Sequence, residues 1–320
     1  MAIHQLKPSF KDYLWGGQKL KEEYGKDTDL NPLAESWEVS THPDGPSYIV
    51  GGEYDGQTLE DYINAKGKGV LGENGAKFDR FPVLIKFIDA LKDLSIQVHP
   101  DDEYGLKHEN EYGKTEMWYI LEANPGSKIY YGTNQEISKE DFKDAINNQE
   151  VLEKLKHVEV FPGDVIFVEA GTIHAIGEGI VLCEVQQNSN TTYRVYDYHR
   201  KDADGNLRDL HVEKALDVST LTPLNSDFKA VGDWEEGENH RKQLLAESSH
   251  FITSKVEVDG SFTYDLSNES FEAIILIDGS ITLKEDDQIV ELVKGQSAFI
   301  DAGSEAIQIS GKGSYLTVRV

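Results

Sequence analysis

The sequence is short of cysteine, of basic residues and of long apolar runs. Its one cysteine, Cys183 in the strand-like "GIVLCEV", cannot form an internal disulfide, which removes the disulfide-stapled secreted class. No apolar run approaches membrane-spanning length. The N-terminal "MAIHQLKPSFKDYLWGG" lacks the basic region and apolar stretch of a secretory signal, so the expected localisation is cytoplasmic. Only 31 basic residues stand against 58 acidic ones, a net charge of −27. A field of that sign repels nucleic acid and anionic lipid, and excludes nucleic acid and membrane as principal partners. The acidic residues are spread along the chain, which reads as solubility, and no obligate protein partner is expected. The field does impose a condition. An anionic substrate would need a local group of cations to overcome it.

What is present is a mainly β pattern. Three segments read as helix: "QTLEDYINA", with Thr58 and Asp61 at capping-box spacing; "SKEDFKDAINNQEVLEKLKHV", with Ser138 and Asp141; and "LHVEKALDVST". In the second, Phe142, Ala145, Ile146, Leu152 and Leu155 share a helical face. Most of the rest is short β-branched and aromatic runs broken by Gly, Asp, Asn and Pro, which predicts a sandwich or barrel. One phrase occurs twice, as "GDVIFVEAGTIHAI" (163–176) and "GQSAFIDAGSEAIQ" (295–308). Glycines and apolar positions agree, and Thr172 matches Ser304, but His174 falls opposite Ala306. No histidine follows His250. Two related β-modules are therefore expected, 1–220 and 221–320, joined through the polar stretch from about Leu221 to Arg241, with the metal chemistry only in the first.

Three pieces of the first module carry that chemistry. On the strand "LSIQVHP", Gln97 and His99 share one face while Ile96 and Val98 share the other. In "GKTEMWYIL", Lys114, Glu116 and Trp118 share a face, and a buried carboxylate there is costly unless a cation compensates it. After "EAGTI", a Gly-containing turn brings in His174. Each residue alone has a structural explanation as a satisfied strand-end His or an edge ion pair. Together, Gln97, His99, Glu116 and His174 suit one divalent ion per chain. Zinc accepts such ligands, and mixed nitrogen and oxygen donors also admit manganese, iron or cobalt.

The spacing from Gly163 to His174 resembles the second motif of cupins, with Glu169 where those usually have Pro. Taken with "LWGG", "ESWEVS", "LSIQVHPDD", "GKTEMWYIL", "GTIHAIG" and "EVQQNSNTTYRVYDYHR", the chain resembles the short bacterial form of the type I phosphomannose isomerases up to about Val218. The resemblance implies two cupin-type jelly-roll modules, the second degenerate, and a zinc enzyme interconverting mannose 6-phosphate and fructose 6-phosphate. It carries the metal ligands onto the same Gln97, His99, Glu116 and His174, and the active-site arginine onto Arg194. Lys86, Ser95 and Arg200 match positions associated with the substrate's phosphate, Arg200 standing where longer members carry Lys.

That chemistry moves a proton between carbons through an enediol-like state. The metal, with Arg194 or Lys114, would offset charge developing on the sugar oxygens. Lys114, Glu184 and a metal-bound water are all admissible as the base, Lys114 only with its pKa lowered by the metal. Two other readings stand beside it: a non-haem iron oxygenase using His99, Glu116 and His174, and a sugar-phosphate-binding cupin without turnover.

Overall fold

A computed structural model describes residues 3–201, 205–303 and 306–320; Ser304 of the repeated phrase lies outside them. The chain is mainly β, with six short helices among the described residues. A six-stranded antiparallel sheet holds the strands Ser9–Lys11, Glu35–Val39, Val83–Ala90, Glu116–Ala123, Val165–Val168 and Ile180–Gln187. A five-stranded sheet holds Ile96–Val98, Lys128–Thr133, Leu155–Glu159, His174–Ile176 and Tyr193–Tyr196. Their facing sides share a core that includes Ile88, Trp118, Ile120 and Leu182 from the first and Ile129, Tyr131 and Ile176 from the second. The helices Lys139–Asn147 and Val212–Val218 cover the outer face of the five-stranded sheet, packing Phe142, Ile146 and Leu216 against Ile96, Val98 and Val195.

The six-stranded sheet is buried on both sides. Alternation sends Val83, Ile85, Phe87, Met117, Tyr119, Cys183 and Val185 into a different core from their neighbours. There they meet Phe271 and, from a nine-stranded sheet built mostly from the C-terminal third, Ala273, Ile275, Phe299, Leu316 and Val318. Lys86, Glu116 and Glu184 lie at the intervening positions of the same strands, which places them toward the five-stranded sheet. Continuous burial of Val83–Ala90 and Ile180–Gln187 follows from this sandwiching, as for strands covered on both faces.

Two features differ from the sequence reading. The helix expected across residues 138–158 stops at Asn147, and a 3-10 turn at Val151–Lys154 leads into the strand Leu155–Glu159. Asn147, Asn148 and Gln149 are a weak place to continue a helix, and Gln149 takes a positive φ of 64°. The N-terminal strand Ile3–Lys7 pairs with Ser297–Ile300 and with Tyr48–Val50. The nine-stranded sheet thus draws strands from both sides of position 220. The expected helix starts are present: Thr58 and Ser138 accept from the backbone N–H of Asp61 and Asp141, each at 3.0 Å.

A buried ion pair ties the sheets together. Lys26 Nζ lies 2.5 Å from Glu38 Oε1 and also donates to the Gly295 carbonyl. Glu38 is fully buried and accepts from the hydroxyls of Ser36 and Ser297. Removing one partner of such a pair strands the other charge, whereas neutralising both is mild. Lys26→Met is therefore expected to cost about 3–5 kcal/mol in urea unfolding. Adding Glu38→Gln should recover most of it, and a single-variant cost under about 1 kcal/mol would contradict the assignment.

Candidate active site

Strand register assembles the site from two sheets. In the five-stranded sheet, Gln97 is the cross-strand partner of both His174 and Arg194, so the three lie side by side. His99 follows directly after the strand Ile96–Val98. In the opposing sheet, Glu184 pairs with Lys86 on one side and Trp118 on the other, and Glu116 lies two residues before Trp118 on the same face. A turn at Gly171 (φ 86°) carries the chain from Val165–Val168 in one sheet to His174–Ile176 in the other. A Cβ at Gly171 would meet the Val218 carbonyl at 2.8 Å, so glycine is required there by space as well as by φ.

His99, Glu116 and His174 are buried, with one donor atom from each lying within 4.8 Å of the others. His174 Nε2 is 3.2 Å from Glu116 Oε1, and His99 Nε2 is 3.6 Å from Glu116 Oε2. Each imidazole directs Nδ1 at a backbone carbonyl 2.8 Å away, Thr191 for His99 and Thr172 for His174. Those carbonyls assign the proton to Nδ1 and leave the Nε2 lone pairs facing the carboxylate. Both Glu116 oxygens and His174 Nε2 have no hydrogen-bond partner. Burial drives the Glu116 carboxyl up to about 7, with Lys114 pulling the other way. Burial also lowers His174 to about 4 and His99 well below its ordinary value. Two neutral imidazoles and an unsatisfied carboxylate fit a divalent cation, and no other cluster of three such groups occurs among the described residues. His4 reaches the nine-stranded sheet through the N-terminal strand and stands 3.8 Å from Asp301, without the further ligands a metal needs.

A cavity of about 290 Å³ opens beside the triad, lined by Gln97, Lys114, Lys86, Ser95, Glu184 and Arg194 from the expected set. Lys114 Nζ bridges His99 Nε2 and Glu116 Oε2, at 3.2 Å from each. Lys86 is wedged 3.2 Å from Glu184 and 3.8 Å from Glu35. Burial alone would lower Lys86, but these carboxylates outweigh it and keep it protonated. Burial would likewise raise Glu184, but Lys86 and Lys114 hold it below the usual carboxylate range.

Arg200 departs from the expected set. It faces an adjoining hollow, bonds to Asp197 Oδ1 and the Asp93 carbonyl, and does not line the cavity. The nearby Asp197 captures it through a local ion pair. Arg208 takes the place in the wall, its guanidinium also on Asp197. A lone Arg in "NLRDLH" carries no strand alternation to reveal this; its position depends on the loop path. Trp15 and Tyr13 line the same wall.

The His174 shift sets a pH dependence. A folded value near 4 against 6.5 unfolded means the unfolded state binds more protons between them. The contribution is complete above 6.5 and is lost as pH falls through 4. In metal-free protein, stability relative to a His174→Gln variant should therefore fall by about 2 kcal/mol between pH 7 and pH 5 in urea unfolding. A difference that stays flat would contradict the buried neutral imidazole.

Known proteins agree with this architecture along the whole chain. A model of the type I phosphomannose isomerase catalytic domain matches residues 3–135, and one of the mannose-6-phosphate isomerase cupin domain matches residues 241–320. The mannose-6-phosphate isomerase ManA of Bacillus subtilis is 37% identical over 307 residues, 96% of this chain and 95% of that one. The mannose-6-phosphate isomerase of Streptococcus mutans is 40% identical over 249 residues, 78% of this chain and 76% of that one. A crystal structure of mannose 6-phosphate isomerase from B. subtilis superposes with a TM-score of 0.93 at 33% identity, covering 100% of both chains. With identity of this level sustained from end to end, the chain belongs to the type I phosphomannose isomerase family.

Proposed function

We propose that the protein is a metal-dependent aldose–ketose isomerase interconverting mannose 6-phosphate and fructose 6-phosphate. The observation that carries this is the buried His99–Glu116–His174 cluster, in which both Glu116 oxygens and His174 Nε2 lack a hydrogen-bond partner, beside a cavity edged with cations. Relatives of this length and identity bear the name of that activity. His99, Glu116 and His174 would hold the ion, with Gln97 beside them. A bound divalent ion, zinc as the family resemblance implies, would supply Lewis-acid stabilisation of charge on the sugar oxygens.

The chain's own groups divide the remaining work. Glu184, ionised and lining the cavity, accepts the proton leaving one carbon to give the enediol-type state. It returns that proton to the neighbouring carbon, while the hydroxyl proton passes between the two sugar oxygens. The Lys114 ammonium and Arg194 guanidinium oppose the negative charge that then develops on oxygen. Arg208 in the wall answers the −27 background and grips the phosphate, with the Ser95 hydroxyl as a further donor. Lys86 has two carboxylates on it already and serves chiefly to keep Glu184 charged.

Zinc-loaded protein is expected to convert mannose 6-phosphate to fructose 6-phosphate in a coupled assay with one metal per chain. Chelation should abolish turnover and zinc restore it. Oxygen uptake without isomerisation would instead favour the iron oxygenase reading, and binding without conversion the non-catalytic one. The phosphate assignment has its own check. Arg208→Ala should raise KM about 10- to 100-fold, the value of a charged hydrogen bond, and Arg200→Ala clearly less. The reverse order would return the phosphate to Arg200.

A further inference from the structure

Trp118 joins two parts of the site. Its side chain is fully buried, and it points toward the five-stranded sheet while its neighbours Met117 and Tyr119 point the other way. The indole Nε1–H donates to Glu184 Oε2 at 3.0 Å. The ring meets the His174 imidazole edge-on, with centroids 5.4 Å apart and planes at 72°. Register puts Glu184 between Trp118 on one strand and Lys86 on the other. One carboxylate oxygen is thus fixed by the indole, while Oε1 has no hydrogen bond and stands 3.2 Å from Lys86 Nζ.

We propose that Trp118 is a positioning residue for Glu184. Its N–H fixes Oε2 so that Oε1 remains free to take a proton from the substrate, and its ring sets that carboxylate relative to the imidazole of His174. A carboxylate held by one directional donor and one point charge keeps a single orientation; with the lysine alone it can rotate about its terminal torsion. A buried indole N–H ordinarily finds some acceptor, and this one could have been satisfied by a carbonyl. Here the acceptor is the one carboxylate that the isomerase reading uses as base, and the proposal rests on that reading.

Trp118→Phe keeps a ring against His174 and removes only the donor. It is expected to lower kcat about tenfold, the rate equivalent of one hydrogen bond to a charged group, with KM within about twofold and metal content unchanged. In a Glu184→Gln background the same substitution should change the residual kcat by less than about twofold, because the group it positions is gone. Equal losses in both backgrounds, or an unchanged kcat in the first, would overturn the proposal. If Trp118→Phe does not fold, the indole N–H resonance of Trp118 decides. It should move upfield in Glu184→Gln, and an unchanged resonance would overturn the assignment. An inactive wild-type protein would reject the isomerase reading, while the indole measurement would still decide the hydrogen bond.

Discussion

A buried carboxylate facing two neutral imidazoles is the constraint around which the candidate site is organised. Glu116 is fully buried and neither of its oxygens is hydrogen-bonded. Such a group is expensive to bury unless a cation compensates it. The surroundings act in the same direction: Thr191 and Thr172 fix the imidazole orientations, and Lys114 partly offsets the charge. What they leave over is a set of buried acceptor atoms, both Glu116 oxygens and His174 Nε2, without a hydrogen-bond partner. The double burial of the six-stranded sheet makes this arrangement rigid, because the strands that carry Glu116, Lys86 and Glu184 are packed on their other faces against the C-terminal sheet. That gives the second sheet a role in shaping the site without supplying ligands to it.

The charge balance follows from the same geometry. An overall −27 opposes a phosphate dianion, and the cavity's wall at Arg194 and Arg208 reverses that sign locally. In and beside the cavity, cations and carboxylates alternate: Lys114 on Glu116, and Lys86 between Glu184 and Glu35. Alternation lets several ionised groups share a small buried volume, each lowering the desolvation cost of the next. It also separates the two carboxylates that the proposed mechanism uses, Glu116 for the metal and Glu184 for the proton.

Much of this was legible in the sequence because strand alternation is a strong signal. Gln97 with His99, and Lys114 with Glu116, could be assigned to faces from spacing alone, and the Gly171 turn pointed to His174. Arg208 was not legible, since loop residues have no periodicity to place them. Trp118 on a strand face reads as ordinary core, and only the register with Glu184 reveals its N–H partner. The pairing of Ile3–Lys7 with Ser297–Ile300 was also hidden, because short strands carry no information about distant partners. The repeated phrase was informative in its difference: His174 starts a strand inside the triad, whereas Ala306 starts one in the sheet without such a cluster among the described residues.

X-ray absorption spectroscopy of zinc-loaded protein tests the central claim most directly. Coordination by His99, Glu116 and His174 predicts a shell of nitrogen and oxygen at about 2.0–2.2 Å, with outer-shell scattering from two imidazoles that drops to one in His174→Ala. Sulfur at about 2.3 Å, or a zinc shell without imidazole scattering, would contradict it.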